Sequence, residues 1–578
     1  MNRGRRFSIA AFLLAAAAAA TTVWQSSRLA VLWDLSYILE NASRIAAGDI
    51  PYRDFPFPYA PLTFLGQALL IRLTGRVAWH HVAYAALACA VATALTLLLA
   101  RRFVSPPVAL ILSTPLVLLG IYCIFPHPFY DPDACLVLLV VMTSLLWLES
   151  AERPRWMAVL AGAACVVPLF VKQNIGLAFL AAIGACAVVL FLIERRRLYI
   201  DLIVGMAAGL AGALALIAAI CGLGNYYRWT ITFAAQRRLP PLAQQLAIYY
   251  DSDLWWWVAV VIIGALVMRR GGWWKQIGAL LVATPWVWSF VRYWITDDPV
   301  EPEINLLRLW PLMLVVSLLV AFFTMREERG LLRLMPLLLV ATVHGVFLSQ
   351  STWGSTYAIW PLLVLMLALL FRVTRAPAWL AAIIAAAMLH AAWPYVEDNE
   401  RLTYVKLEGE KHRSSRPELR GLSMSGEWLP EFEELVAWSD RNIPRDDGIL
   451  SLPGEDLFYF TTGRRPRFPV LMFDRTINPY DARTIVAIAK QRNIRWLIVK
   501  ERLQLNGTPM ENRDETLRLL APHLRPAAKL KNYDVYRLDW GGTMLDGRWP
   551  ATSSASTSSA SSAGSAGRST ASAPRSPG

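Results

Sequence analysis

The chain has 578 residues, of which 56% are hydrophobic and only 17% are Asp, Glu, Lys or Arg. A soluble domain has roughly a quarter of its residues charged, and the hydrophobic residues here come in long runs, so the composition predicts a polytopic α-helical membrane protein. The net charge of +14 does not indicate nucleic-acid binding, because the arginines form short clusters between the apolar runs, as they do in cytoplasmic loops.

A membrane-spanning helix needs roughly 20 mostly apolar residues, and about thirteen segments approach that length. The predicted spans are 8–27, 78–100, 106–125, 134–149, 156–172, 175–193, 199–222, 254–268, 277–295, 306–324, 331–349, 357–371 and 378–395. The first follows MNRGRRF and is longer than the apolar core of a usual signal peptide, so we expect it to be a retained anchor, although AAA leaves cleavage open.

The basic residues predict the orientation of the chain. With the N-terminus in the cytoplasm, alternation of the spans places the clusters of basic residues in the cytoplasm, as the positive-inside rule requires. These clusters are Arg101-Arg102, Arg153 with Arg155, Arg195-Arg196-Arg197, Arg269-Arg270 with Lys275, Arg326 with Arg329, and Arg372 with Arg375. The loops rich in acidic and aromatic residues and the C-terminal region then lie outside, which for a bacterial inner membrane is the periplasm.

The first outer loop, 28–77, is long and charged. In it SYILENASRIAAG and PLTFLGQALLIRLTG are predicted to be juxtamembrane helices lying at the interface, joined by the turn-rich segment GDIPYRDFPFPYAPL. Asp34 comes a few residues after the first span, at the depth of lipid headgroups, and is a candidate functional carboxylate. The alternative for Asp34, and for Asp54 in the turn, is a solvated acid that caps a helix or turn.

The second outer loop has the sequence HPFYDPDA, in which Asp131 and Asp133 flank a proline. Two carboxylates at this spacing could hold a divalent cation such as Mg²⁺ or Mn²⁺, or polarise a hydroxyl group. The alternative is that they cap the positive end of the next helix.

Cations are also predicted on the outer side. Lys172, in VKQN, ends one apolar run, and a lysine at this depth is costly unless it meets an anion, the alternative being that it snorkels to the interface. Together with other outer-side cations it could bind a lipid-linked phosphate. Those other cations are Arg228, Arg237, Arg238 and Arg292.

A late outer loop, SQSTWGSTYAIWP, brings three aromatic residues to the same surface. Trp353 and Tyr357 are candidates for stacking on a sugar ring. Trp360 is better explained as part of the aromatic belt at the membrane interface.

The composition becomes that of a soluble domain after residue 396, which divides the chain into a membrane domain, 1–396, and a small α/β domain, 397–541. GILSLPG and IRWLIVK are predicted to be buried strands, PEFEELVAWSDRN and DARTIVAIAKQRN amphipathic helices, and AAKLKNYDVYRL a closing hairpin. Its basic segment GRRPR is more typical of a solvated turn than of an anion site. The last segment, 542–578, is rich in Ser, Ala and Gly and is predicted to be disordered.

The six cysteines all lie within or beside apolar runs and show no CxxC spacing, so they are interpreted as buried apolar residues. The seven histidines form no zinc-binding pattern. The pattern of residues therefore predicts no certain cofactor, and the acidic pair is the one candidate for a metal.

The first loop, with Asp34 followed by GDIPYRDFPFPYAPL, and the YDPD segment after the third span resemble the GT-C superfamily of membrane glycosyltransferases. The chain is most similar to the bacterial relatives of protein O-mannosyltransferases and of the aminoarabinose transferases of lipid A. The resemblance covers most of residues 1–541. The family's turn usually has two prolines after its tyrosine, whereas Ala60 stands at the first of those positions here.

The resemblance implies a cavity that faces the periplasm and a donor sugar carried on a polyprenyl phosphate, which is transferred with inversion to a lipid, glycan or protein acceptor. Asp34 matches the candidate general base, Asp131 and Asp133 match the acidic pair of the second loop, and Lys172 matches a cation that binds the donor phosphate. Two other classes stay open. One is a transporter or flippase of a lipid-linked glycan, and the other is a non-catalytic scaffold whose outer domain binds a partner.

Overall fold

The computed structural model describes residues 3–28, 30–150, 153–296, 301–348, 356–398, 409–474, 476–503 and 513–541. The described residues up to Asp539 form one compact unit. Trp353 and the predicted disordered tail, 542–578, lie outside the described residues. The predicted boundary between the membrane domain and the α/β domain stays a prediction.

The part of the chain before residue 399 is almost entirely helical. Its α-helices are α1 Arg3–Ser26, α2 Leu32–Ala46, α3 Leu62–Thr74, α4 Ala78–Phe103, α5 Pro106–Ser113, α6 Leu116–Leu119, α7 Tyr130–Glu149, α8 Arg155–Ala164, α9 Val167–Val171, α10 Gln173–Glu194, α11 Arg197–Ile220, α12 Leu223–Tyr227, α13 Ala234–Arg238, α14 Leu242–Leu246, α15 Ser252–Met268, α16 Trp274–Thr296, α17 Glu301–Glu327, α18 Leu331–Phe347, α19 Trp360–Thr374 and α20 Ala378–Asp398. A π-helical turn, Arg228–Phe233, joins α12 to α13, and short 3₁₀ turns cover Ala247–Tyr249 and Thr356–Ala358.

In the described ranges, seven helices are long and apolar enough to cross a membrane, or eight if the bent pair Leu242–Tyr249 and Ser252–Met268 is one span. The polytopic helical architecture predicted from the composition is thus confirmed, whereas the count of thirteen spans stays a prediction. The predicted span 106–125 is not one helix: α5 and α6 are separated by Thr114 and Pro115, and α6 ends at Leu119, before Gly120, whose backbone is extended (ψ 157°). The predicted span 156–172 is likewise divided into α8 and α9.

Both predicted helices of the first loop are present as α2 and α3. Most side chains of α2 are buried, including the charged residues Glu40 and Arg44, which are each 3% exposed. An interfacial helix would leave one polar face to water, so the burial of α2 on several sides means that protein also covers its polar face. The covering residues, described below, come from the C-terminal region.

The C-terminal region contains α21 Trp428–Asn442, α22 Phe458–Thr462, α23 Ala482–Gln491 and α24 Arg513–Leu520, with a 3₁₀ turn at Ala521–His523. Its strands are β1 Lys411–Arg413, β2 Ser423–Ser425, β3 Gly448–Leu452, β4 Ile494–Lys500, β5 Leu524–Lys529 and β6 Tyr533–Leu538. β1 and β2 pair antiparallel, and the other four strands form a sheet in the order β3-β4-β6-β5.

The predicted α/β organisation of this region is found in the described residues. β3 and β4 are parallel, with Leu450 opposite Leu497, as expected for two buried strands separated by a helix. β5 and β6 form the predicted closing hairpin. The helix α23 begins where the sequence predicts, because the Asp481 side chain accepts a hydrogen bond from the backbone N–H of Thr484 (2.8 Å) and caps it.

Candidate functional site

A buried ion pair joins two of the sequence-predicted site residues. Lys172 Nζ lies 2.6 Å from Asp131 Oδ1, and the two residues are 7% and 2% exposed. The same ammonium group lies 4.4 Å from the centre of the Tyr130 ring, which adds a cation–π contact. The first turn of α7 therefore brings a carboxylate and an aromatic face to one cation.

Lys172 reaches this position because the helical conformation is interrupted between α9 and α10. Its backbone is extended (φ −145°, ψ 113°), although it accepts from the N–H of Gly176 and donates to the carbonyl of Pro168. A Cβ at Gly176 would lie 2.2 Å from Leu169, so only glycine permits this close approach of the two helices. The break thus turns the lysine side chain out of the helical run and towards α7.

Asp34 lies in the first turn of α2 and is half-buried. Its carboxylate lies within electrostatic range of Tyr130, so it is on the same side of the bundle as the Asp131–Lys172 pair. Tyr59, from the turn-rich segment, packs between these elements, 4.9 Å from Tyr130 and 4.8 Å from Tyr37 between ring centres. Asp131 and Lys172 are thus in direct contact beside Tyr130, and Asp34 lies within electrostatic range of the same tyrosine.

The segment of the first loop that precedes α3 is attached to the same site. The side-chain amide of Gln173, the residue after Lys172, donates to the carbonyl of Pro58 (3.2 Å). Asp54 instead closes a turn, because its carboxylate accepts from the backbone N–H of Ile50 (2.8 Å) and pairs with Arg53. The contacts of Asp54 therefore agree with the alternative interpretation, in which it is an acid that caps a turn.

The two carboxylates of the YDPD segment have different surroundings. Asp133 accepts hydrogen bonds from the hydroxyl groups of Tyr122 (2.5 Å), Tyr84 (2.7 Å) and Thr63 (2.7 Å), which occupy both of its oxygens. Asp131 is paired with Lys172. The pair does not present two carboxylates to one cation, and the described residues contain no group of three or more His, Cys, Asp or Glu side chains that could hold a metal ion. The contacts of Asp131 and Asp133 therefore do not fit a divalent metal.

The predicted arginines are not all at this site. Arg237 packs over the ring of Phe233, 5.2 Å from its centre, and Arg228 is exposed in the π-helical turn. Arg292 lies 3.6 Å from a carboxylate oxygen of Asp253, at the start of α15. Arg238 ends α13, and nothing is described of its side chain. Their role in binding the donor phosphate stays a prediction.

Of the two residues predicted to stack on a sugar, the structure describes only Tyr357. Tyr357 is 1% exposed, and its ring packs edge-on against Phe125, with 4.5 Å between the ring centres. Trp353 lies outside the described residues. Stacking of a sugar on either residue stays a prediction.

Sequence reasoning missed a buried arginine on α17. Arg308 is 8% exposed, donates to Asp251 (2.6 Å) and Asn305 (2.7 Å), and lies 3.5 Å from Asp253, the partner of Arg292. The available signal was an arginine inside a predicted span, since a charge there is costly unless it is paired.

Sequence reasoning also missed the contact that holds α2. The Glu40 carboxylate accepts hydrogen bonds from the backbone N–H groups of Tyr459 (3.1 Å) and Phe460 (3.0 Å), in the first turn of α22. Burial raises the pKa of the Glu40 carboxyl group well above its usual value. The sequence carries no local signal for this contact, because the two segments are separated by more than four hundred residues.

An arginine one turn further along α2 extends the same contact. Arg44 pairs with Asp49 (2.7 Å) and donates to the carbonyls of Phe468 (3.3 Å) and Pro469 (2.8 Å). Asp49 also pairs with Arg465 (2.5 Å), from the GRRPR segment. Arg465 is thus held in an ion pair, and the C-terminal region fixes the helix that carries Asp34.

Comparison with known proteins gives structural neighbours only. No protein-family model matches the chain, and no curated protein matches its sequence. The crystal structure of ArnT from Cupriavidus metallidurans bound to undecaprenyl phosphate is similar over 92% of this chain and 99% of that one, with 13% identity and a TM-score of 0.45. The apo structure of the same protein covers 91% and 97%, with 14% identity and a TM-score of 0.43.

A third neighbour is the oligosaccharyltransferase of Archaeoglobus fulgidus in complex with Zn and sulfate, with 13% identity and a TM-score of 0.35 over 86% of this chain and 67% of that one.

Proposed function

We propose that this chain is a glycosyltransferase that moves a sugar from a polyprenyl phosphate to a hydroxyl group of an acceptor at the membrane surface. The observation that carries the proposal is the buried Lys172, held between the Asp131 carboxylate and the Tyr130 ring on the side of the bundle where Asp34 lies. A cation and a carboxylate that converge in a region of low dielectric suit a reaction in which a phosphate leaves and a proton is removed.

In this proposal Lys172 receives the donor phosphate. An ammonium group has three N–H donors, so it can hold Asp131 and a phosphate oxygen together. Asp131 orients the ammonium group, and the charge that develops on the phosphate as it leaves is stabilised by a nearby fixed cation. The polyprenyl tail stays among the lipid-facing helices, which confines the reaction to the membrane surface.

Asp34 is proposed as the general base. The acceptor oxygen attacks the anomeric carbon while the bond from that carbon to the phosphate oxygen breaks with both electrons, and Asp34 takes the proton of the acceptor hydroxyl. The products are the glycosylated acceptor, a polyprenyl phosphate and a protonated Asp34. Such a base contributes roughly 10²–10⁴ in rate. Attack opposite the leaving group inverts the anomeric carbon.

The finer assignments also belong to this proposal. The donor carries a hexose or a pentose, and the acceptor is a lipid, a glycan or a protein. The chain is proposed to lie in a bacterial inner membrane with its N-terminus in the cytoplasm, and with Asp34 and the C-terminal region in the periplasm. This orientation follows from the arginine clusters between the predicted spans.

A transfer assay tests the proposal. Purified wild type and Asp34→Asn would receive radiolabelled polyprenyl-phosphate sugars and native membrane acceptors. Asp54→Asn is the matched control, because Asp54 lies in the same loop but closes a turn. We expect label to leave the lipid with wild type and with the control, and at least about a hundredfold more slowly with Asp34→Asn. If neither wild type nor control moves label from any donor, while lipid-linked glycan crosses protein-containing vesicles, the transporter replaces the enzyme.

A further inference from the structure

A concave site lies between α4 and α7, at the ends of these helices that are remote from Asp34, Asp131 and Lys172. α4 begins beside the C-terminal region, where the N–H of Ala78 donates to the carbonyl of Glu418 (2.8 Å), and α7 begins at Tyr130. With a rise of 1.5 Å per residue, the other ends of these helices lie roughly 30–40 Å along the bundle. The cavity there has a volume of about 470 Å³.

The lining of this cavity combines apolar side chains with two guanidinium groups. It is formed by Leu98, Leu99, Arg101, Arg102, Thr143, Ser144, Leu146 and Trp147. None of these eight residues is acidic. Leu98 and Trp147 are 47% and 41% exposed, which is typical of side chains on the lipid-facing surface of a membrane helix.

One of the two cavity arginines packs over an aromatic ring, and the cavity tryptophan packs under a neighbouring arginine. Arg101 lies 4.2 Å from the centre of the Phe7 ring, and Arg153 lies at the same distance from Trp147, whose indole lines the cavity. Within the described part of the chain, Arg101 and Arg102 form no ion pair with a carboxylate. Arg372 donates to the carbonyls of Arg102 and Phe103 and is itself paired with Glu328, so it holds the end of α4 in place.

We infer that this cavity binds one anionic phospholipid, with its phosphate at Arg101 and Arg102 and the upper part of an acyl chain along the apolar wall. Basic pockets between transmembrane helices favour anionic headgroups, because guanidinium forks match phosphate oxygens and Trp side chains lie at headgroup depth. The apolar wall favours a lipid over a free phosphate, since a free anion would leave that surface uncovered. This inference does not depend on the proposed glycosyl transfer.

Lipid competition measured by native mass spectrometry tests the inference. Delipidated full-length protein would be given equal amounts of phosphatidylglycerol and phosphatidylcholine with identical chains. We expect wild type to retain phosphatidylglycerol preferentially, and Arg101→Gln/Arg102→Gln to lose the preference by about 25-fold, since each surface basic residue contributes about fivefold. The matched control is Arg270→Gln/Arg326→Gln, because these exposed arginines also lie over aromatic rings but outside the cavity.

Two further experiments test whether a phospholipid, inorganic phosphate or undecaprenyl phosphate fills the cavity. Ser144→Phe narrows the cavity and keeps both arginines, so it should lower retention of phosphatidylglycerol without a loss of thermal stability. Inorganic phosphate and undecaprenyl phosphate would be added as competitors. The inference is overturned if wild type shows no preference, if the control loses it equally, if inorganic phosphate alone displaces the phospholipid, or if undecaprenyl phosphate binds there in its place.

Discussion

The ammonium nitrogen of Lys172 lies 2.6 Å from a carboxylate oxygen of Asp131, and both side chains are buried. Removing two charges from water costs several kcal/mol each, and their attraction returns that cost only when the geometry is good. The protein thus retains an ion pair with a high desolvation cost at the start of α7, on the same side of the bundle as Asp34. In the proposed reaction that pair prepares a cation for the donor phosphate.

Breaking this pair should be costly in stability as well as in activity. Lys172→Met leaves a buried carboxylate without its cation, so we expect a loss of about 3–5 kcal/mol in the free energy of unfolding. Lys172→Met/Asp131→Leu removes both charges. Its loss in the free energy of unfolding should be clearly smaller than the sum of the losses of Lys172→Met and Asp131→Leu. Urea unfolding in detergent, followed by tryptophan fluorescence, measures the cycle. Additive losses would show that the two charges do not interact.

The two carboxylates of the YDPD segment should behave differently on substitution. Asp133 accepts hydrogen bonds from three hydroxyl groups, so Asp133→Asn should cost about 1–3 kcal/mol of stability but keep transfer activity per folded molecule. Asp131→Asn should lose transfer. Activity normalised to the folded fraction separates the two cases. Equal losses of normalised activity would contradict the separate roles.

The contact between Glu40 and α22 should make stability depend on pH. Burial raises the folded-state pKa of Glu40 well above 4.5, so its contribution to stability is fully present below the unfolded pKa and is lost as pH rises through the folded pKa. Glu40→Gln cannot titrate. Its free energy of unfolding should therefore gain on that of wild type between pH 5 and pH 8, by up to about 1.4 kcal/mol per pH unit, and its melting temperature should rise relative to wild type over the same range.

The matched control for that experiment is Glu427→Gln, because Glu427 is an exposed carboxylate of the same region. The melting temperature of Glu427→Gln should equal that of wild type at both pH 5 and pH 8. Should Glu40→Gln also follow wild type, the buried carboxylate would not be titrating in this range.

A second buried cation predicts a stability effect within the C-terminal region. Lys500, at the end of β4, lies 2.6 Å from Glu455 and 2.9 Å from Asp456, and Trp428 also donates to Asp456 (2.8 Å). Lys500→Met leaves two buried carboxylates and should cost about 3–5 kcal/mol. Lys490→Met, at an exposed position on α23, should stay within about 0.5 kcal/mol of wild type. Similar unfolding curves for both variants would contradict the importance of this cluster.

The sequence predicts the elements of this protein better than their contacts. Hydrophobic runs locate α2, α3 and the strands β3 to β6, because local periodicity decides them. The division of the predicted span 106–125 needs the backbone conformation around Pro115 and Gly120, which hydropathy does not register. Asp34, Asp131 and Lys172 could be chosen from the sequence because they are charged residues next to apolar, membrane-spanning segments. Glu40 could not, since only the folded chain brings it to α22.

Separating donor binding from transfer tests the central claim most directly. The dissociation constant of a polyprenyl-phosphate sugar would be measured for wild type, Asp34→Asn and Lys172→Met in detergent, alongside the transfer rate. The account predicts that Asp34→Asn binds the donor as tightly as wild type yet transfers at least about a hundredfold more slowly, whereas Lys172→Met loses donor binding. Unchanged transfer by folded Asp34→Asn, or unchanged donor binding by folded Lys172→Met, would contradict it.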